Sequence, residues 1–121
     1  MIKEGPVPVL LHGVVEYALG LLLVLGPFLL AFESDGATAL AVLIGLASLA
    51  MTALTDASFG VVRRMPLAAH LVLDYLLAIL LIVLPFLASF TGDRRAFAFF
   101  VILGVAHLIL STLTRFDVGR R

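Results

Sequence analysis

The sequence contains no cysteine and little charge. None of its 121 residues is a cysteine, which excludes disulfides, thiolate catalysis, iron–sulfur clusters and cysteine-ligated zinc. Charged residues make up 13% of the chain and hydrophobic ones 63%, whereas about a quarter of an ordinary soluble domain is charged. The formal net charge of +0 provides no basic field to attract nucleic acid. A water-soluble monomer of this size could not bury so much apolar surface, so a lipid bilayer is the expected partner.

Four apolar stretches cover most of the chain, at residues 9–32, 37–55, 67–90 and 96–114. Each is close to the ~20 residues that cross a bilayer core, where only a helix satisfies its own backbone. Short polar turns separate the members of each pair, and a longer connection separates the two pairs. The sequence therefore predicts an all-α membrane protein, a bundle of four transmembrane helices built from two tandem helical hairpins.

The two hairpins are copies of one unit. Eleven of the twenty-five positions from 8 to 32 are identical 58 residues later, and the second helix repeats with a shift of 59. We therefore predict a single membrane domain, 1–121, with repeat units 8–55 and 66–114. Each unit has two spans, so the copies share one orientation and a pseudo-twofold axis along the membrane normal. The aligned polar pairs are His12 with His70, Glu16 with Asp74, and Tyr17 with Tyr75.

The cationic residues lie mostly on one side of the predicted bundle. The side that holds the termini and the linker carries Lys3, Arg63, Arg64, Arg115, Arg120 and Arg121, and the other side carries Arg94 and Arg95. By the positive-inside rule, both termini are expected in the cytoplasm.

Each unit also has an apolar helix that ends in a proline–aromatic pair and is followed by a short turn and a second span. The segments are Leu25-Gly26-Pro27-Phe28 in the first unit and Leu84-Pro85-Phe86 in the second. This arrangement resembles the SPW-repeat family of small bacterial integral membrane proteins, over most of the chain. Gly26 and Leu84 stand in place of the serine, and Phe28 and Phe86 in place of the tryptophan. The resemblance implies a two-helix repeat in a bacterial plasma membrane and no established biochemical activity.

Glu16 and Asp74 are the only charged residues within the four spans. Each follows a histidine by four residues, so His12 shares a helix face with Glu16, and His70 shares one with Asp74. At a rise of 1.5 Å per residue, Glu16 and His107 lie at similar depths, ~12 and ~10 Å from the same membrane side. An ionisable group at such depth costs ~3 kcal/mol, so it should face a partner or a cavity.

Several interpretations of this polar cluster remain open. In a structural one, the histidines and carboxylates form hydrogen-bonded pairs that join the hairpins, and nothing binds. In a metal site, two imidazoles and two carboxylates would suit zinc, iron or manganese. The metal ligands would be His12, Glu16, His70 and Asp74, with His107 as a fifth ligand or a supporting contact.

Two further alternatives use the same residues. Haem b would take His12 and His70 as its two axial ligands, and a proton or ion path would be lined by the carboxylates and histidines. Tyr17 and Tyr75 lie next to the carboxylates, where they either donate hydrogen bonds to them or serve as interfacial anchors.

The sequence shows no nucleophile–base pair and no glycine-rich phosphate loop. We therefore expect a structural or binding component and not an enzyme. Four short spans bury little surface, so we also expect a homo-oligomer or a subunit of a membrane complex. No nucleic acid is expected as a partner.

Overall fold

The computed structural model describes residues 2–117 and consists of four long helices and three short strands. The helices are α1 (Val9–Leu29), α2 (Asp35–Leu54), α3 (Leu67–Leu87) and α4 (Arg94–Leu113), and the strands are β1 (Ile2–Lys3), β2 (Val7–Pro8) and β3 (Thr114–Asp117). All four helices are long and apolar enough to cross a membrane. The predicted all-α bundle of four transmembrane helices is confirmed. Arg120 and Arg121, which entered the prediction of orientation, lie outside the described residues.

The first helix of each hairpin ends in the same way. Ala31 and Ser89 occupy equivalent positions and adopt the left-handed conformation, with φ of 52° and 60°. Beyond them, the N–H of Phe32 donates to the carbonyl of Pro27 at 2.9 Å, and the N–H of Phe90 donates to that of Pro85 at 2.9 Å. These bonds close a Schellman motif, which satisfies carbonyls of the last helical turn and reverses the chain into the next helix.

The second helix of each hairpin begins at a side-chain cap. The hydroxyl of Ser34 accepts the N–H of Ala37 at 3.1 Å, and the carboxylate of Asp93 accepts the N–H of Ala96 at 3.2 Å. Asp93 also accepts the backbone N–H groups of Glu33 and Ser34, at 2.8 and 2.9 Å. The α3–α4 turn is thereby joined to the α1–α2 turn.

The environment of Asp93 also favours its ionised form. Desolvation by burial raises the pKa of the Asp93 carboxyl. The backbone N–H groups of Ser34, Ala96 and Glu33 donate to the carboxylate, and together they lower its pKa by more than burial raises it. The net result is a pKa below the ordinary value. Asp93 therefore acts as a charged link between the two hairpins at this end of the bundle.

Within each hairpin, a glycine lets the helices approach closely. A Cβ added at Gly45 of α2 would lie 2.9 Å from the carbonyl oxygen of Gly20 in α1. The equivalent Gly104 of α4 has the same relation to Ala78 of α3, also at 2.9 Å. Membrane helices pack through small residues because lipid provides no hydrophobic drive between them. The two hairpins are therefore tightly packed units.

The short strands join each hairpin to the other one. Thr114, at the end of α4, pairs in parallel with Val7, which leads into α1. Thr55, at the end of α2, forms a parallel bridge with Met65, which leads into α3. The repeat relates these two pairings. Each places a threonine that follows a second helix beside the start of the other hairpin's first helix.

Candidate metal centre

The structure brings the predicted polar residues together inside the bundle. His12 and Glu16 come from α1, His70 and Asp74 from α3, and His107 from α4. The first four are 0% exposed, and His107 is 2% exposed. One possible ligand atom from each of the first four residues lies within 4.8 Å of the corresponding atoms of the other three. The four side chains therefore surround one point between the two hairpins.

A threonine of the opposite hairpin holds each histidine of the repeat. The Nδ1 atom of His12 lies 2.7 Å from the hydroxyl of Thr114, and that of His70 lies 2.7 Å from the hydroxyl of Thr55. These are the two threonines that the strand pairings place beside α1 and α3. The orientation of both rings thus depends on contacts that cross between the hairpins.

The threonine contacts also indicate which ring nitrogen carries a hydrogen towards the threonine. Thr55 donates its hydroxyl hydrogen to the carbonyl of Met51 at 2.7 Å, and Thr114 donates to that of Leu110 at 2.5 Å. A hydroxyl has one hydrogen, so towards the imidazole each threonine can only accept. Nδ1 is therefore the N–H donor in both rings, and a neutral ring presents a lone pair at Nε2.

Both Nε2 atoms face the two carboxylates. Nε2 of His12 lies 2.7 Å from Oε1 of Glu16 and 2.9 Å from Oδ2 of Asp74. Nε2 of His70 lies 2.9 Å from Oε2 of Glu16 and 3.2 Å from Oδ1 of Asp74. The contacts of His70 are close, yet their geometry is not that of a hydrogen bond, and its buried Nε2 has no hydrogen-bond partner. Lone pairs and carboxylates at such distances need positive charge between them, from protons or a metal ion.

The remaining contacts break the symmetry of the centre. Nε2 of His107 lies 3.2 Å from Oε1 of Glu16 and 3.4 Å from Oδ1 of Asp74. The repeat places Ser48 at the equivalent position in α2, so only the second hairpin adds an imidazole there. On the Glu16 side, the hydroxyl of Thr52 lies 3.0 Å from Oε2 of that carboxylate. His107 is thus a third imidazole directed at the same two carboxylates.

Aromatic side chains cover the centre on the side of the termini. The ring of Phe116 lies 4.9 Å from that of His12, and the ring of Phe59 lies 5.4 Å from that of His70, measured between centroids. Tyr17 donates its hydroxyl to the carbonyl of Phe59 at 2.8 Å and so supports this cover. Tyr75 packs against the apolar cluster that contains Phe59 and Phe116. The described contact of the Tyr17 hydroxyl is therefore with the linker backbone.

The sequence pattern found the five ionisable residues but missed their supports. Thr55 and Thr114 attract no attention singly, because a threonine near a helix end most often bonds its own helix. The available signal was their identity at equivalent positions of the repeat, one residue beyond α2 and α4. Neither the strand pairings nor the double use of each hydroxyl can be read from residue spacing.

The comparison with protein families gives one match. The model of the SPW repeat domain matches residues 10–114, which is most of the chain. The chain belongs to the SPW repeat family, as its repeated proline–aromatic turns indicated. It is a small membrane protein of four transmembrane helices. No curated protein and no solved structure matches it.

Proposed function

We propose that this protein binds one divalent transition-metal ion between its two hairpins. The ligands are Nε2 of His12 and His70 and one carboxylate oxygen each of Glu16 and Asp74. The observation that carries the proposal is the pair of threonine contacts, which hold Nδ1 of each ring and direct the Nε2 atoms of both rings at the two carboxylates. Ligand histidines in proteins are oriented in this way by a partner on their second nitrogen.

Charge balance supports the same conclusion. Glu16 and Asp74 are both 0% exposed, and two carboxylates buried without compensation are very unfavourable in a low-dielectric interior. A divalent cation with two carboxylates and two neutral imidazoles forms a neutral set. Ligands on one ion with bonds of ~2.1 Å lie at most ~4.2 Å apart. The ligand atoms lie within 4.8 Å of one another, but Nε2 of His12 and Oε1 of Glu16 are 2.7 Å apart, closer than the ~3.4 Å between ligands of a tetrahedral ion. Metal binding therefore widens this contact while the longer ones shorten.

The ligand chemistry limits the choice of metal. Two imidazoles and two carboxylates suit zinc, iron or manganese, and the absence of cysteine removes the thiolate ligands that soft ions prefer. Four ligands satisfy tetrahedral zinc. A fifth ligand, the imidazole of His107, raises the coordination number, which favours iron or manganese over zinc. His107 is therefore the residue that selects among the three metals.

The enclosure of the centre favours a binding role over catalysis. Catalytic zinc sites keep a position open for water or substrate, whereas structural sites are closed by protein ligands. Here the ligands are buried, and Phe59 and Phe116 cover the two rings. We propose that the metal joins the hairpins and that the protein is not an enzyme. In the same proposal the membrane is a bacterial plasma membrane, with the centre nearer its cytoplasmic face.

The geometry gives less support to the haem and ion-path alternatives. A porphyrin between His12 and His70 would need the space between their rings, whose centroids lie 5.9 Å apart at an angle of 70°. Glu16 and Asp74 contact both Nε2 atoms and occupy that space. An ion path would need continuous access, and the apolar cover lies across it on one side.

The test is a metal-dependent shift in thermal stability. Purified protein is stripped with a chelator and resupplied with zinc, iron(II) or manganese, and its melting is followed. We expect His12→Ala and His70→Ala to lose the metal-dependent increase, because each removes one of two equivalent ligands. Ser48→Ala is the matched control, since it alters a small buried residue beside the centre that is not a ligand. A wild type that melts identically with and without every metal would contradict the proposal.

A further inference from the structure

An apolar crevice lies between α1 and α4, away from the metal centre. Its volume is about 430 Å³, and Leu22 and Leu29 line one wall while Ala98 and Ile102 line the other. Its lining surface is almost wholly apolar, and Arg95 is the lining residue at one end. The crevice is therefore an apolar groove with an arginine at one end.

The guanidinium of Arg95 is held at the mouth of the crevice. Its Nη1 donates to the carbonyl of Leu30 at 3.2 Å, just beyond the end of α1. This contact uses one of the five N–H donors of an arginine and leaves the exposed side chain available for an anion. A guanidinium matches the oxygens of a phosphate group better than an ammonium does.

The internal repeat provides a comparison within the same molecule. A smaller crevice of about 260 Å³ between α2 and α3 lies at a different level, since of its lining only Ile44 and Leu80 are equivalent in the repeat to lining residues of the α1–α4 crevice. The repeat places Gly36 at the position of Arg95, and Asp35 at that of Arg94. The start of α2 therefore has no cation at the position where α4 has Arg95.

We propose that the α1–α4 crevice binds an anionic phospholipid, with one acyl chain along the apolar walls and the phosphate on Arg95. Arg95 lies at the level of the lipid headgroups, because it is in the first turn of the membrane-spanning helix α4. The charge of Arg95 selects an anionic headgroup, and the apolar walls select a lipid over free phosphate. The start of α2, with Asp35 and Gly36 at the equivalent positions, offers no such cation to a lipid phosphate.

The test compares two lipids with identical acyl chains, phosphatidylglycerol and phosphatidylcholine, titrated onto the purified protein and counted by native mass spectrometry. Wild type should bind the first phosphatidylglycerol at least about fivefold more tightly than phosphatidylcholine, since an ion pair at a partly exposed site is worth ~1 kcal/mol. Arg95→Gln should remove this preference. Arg63→Gln is the control, because it removes one exposed arginine at the opposite end of the bundle.

A second variant tests the apolar part of the site. Ala98→Phe fills the crevice from the exposed face of α4 and should weaken binding of both lipids while leaving the melting temperature unchanged. Inorganic phosphate serves as a separate probe that lacks acyl chains. It should not bind on its own, because the apolar walls supply part of the affinity for the lipid. Equal affinity of the wild type for both lipids would overturn the proposal, as would a preference that Arg95→Gln and Arg63→Gln alter equally.

Discussion

The hydroxyl of Thr114 lies 2.7 Å from Nδ1 of His12, a residue 102 positions earlier in the chain. Thr55 makes the same contact with His70 at 2.7 Å. In both cases the threonine follows the second helix of one hairpin and the histidine lies in the first helix of the other. The polar centre is thus assembled by reciprocal contacts between two copies of one unit.

The first prediction concerns these threonines. Thr55→Val and Thr114→Val keep the side-chain shape but remove the acceptor for the Nδ1 proton, so the imidazoles lose their fixed orientation. Metal affinity should fall ~10- to 100-fold, as is usual when the partner of a ligand histidine is removed. Thr38→Val is the control, since Thr38 bonds a carbonyl at the other end of the bundle. Competition titration with a chelating dye measures the affinities, and unchanged affinity in both variants would contradict the account.

The second prediction concerns the carboxylates. Glu16→Gln and Asp74→Asn preserve size but remove one negative charge each, which unbalances the charge of the centre when a divalent ion is bound. Both variants should retain far less metal than the wild type. Haem held by two imidazoles would instead survive these changes, so the absorption spectrum separates the two cases. Full metal content in both variants would show that the carboxylates are not ligands.

The third prediction tests His107 against its counterpart in the repeat. Replacement of His107 by Ala should shift the relative affinities from iron or manganese towards zinc, because the centre then offers four ligands. Ser48→Ala should leave the order unchanged, since a serine there contributes no imidazole. Titration of the three metals under one set of conditions gives the order. An identical order in wild type and His107→Ala would remove His107 from the ligand set.

The fourth prediction concerns Asp93 and pH. Asp93→Asn keeps a side chain that can cap α4 but removes the negative charge that strengthens its hydrogen bonds to the backbone N–H groups, at a cost of ~1 kcal/mol at neutral pH. The pKa of the Asp93 carboxyl is lowered in the folded state, so its contribution is present above the unfolded pKa. It is lost as the pH falls through the folded value. Melting curves of wild type and variant should therefore converge in acid, and a difference that is constant with pH would contradict this.

The fifth prediction concerns topology. Reporter fusions at Asp35 and after Arg121 should report opposite sides of the membrane, with the C-terminal fusion in the cytoplasm. The physical reason is the excess of arginine on the side of the linker and the termini. If both fusions report the same side, the arrangement of four spans is wrong. If they report opposite sides with the C-terminus outside, only the orientation is wrong.

The fold was largely predictable because its determinants are periodic. The lengths of the apolar stretches predict the four helices. The internal repeat, which places His70 and Asp74 at the positions of His12 and Glu16, predicts that these polar residues lie at one depth and face one another. Short strands of two to four residues carry no such period, so β1, β2 and β3 could not be foreseen. They join segments far apart in the chain, and only the packed bundle brings those segments together.

The contacts at the candidate site that could not be predicted from the sequence have the same physical origin. Spacing along one helix shows that His12 and Glu16 share a face, but it says nothing of what lies opposite. The contacts of Thr52 with Glu16, and of Asp93 with the α1–α2 turn, cross between helices. Such contacts depend on how the helices pack, which composition and periodicity do not specify.

The most direct test is elemental analysis of the purified wild-type protein, combined with its absorption spectrum. The account predicts about one transition-metal ion per chain and no Soret band, because two imidazoles and two carboxylates form one neutral closed set around one ion. His12→Ala and His70→Ala, purified in parallel, should each contain almost none. A wild type that contains no metal and takes up none when supplied would contradict the account, and would leave the histidines and carboxylates as a hydrogen-bonded link between the hairpins.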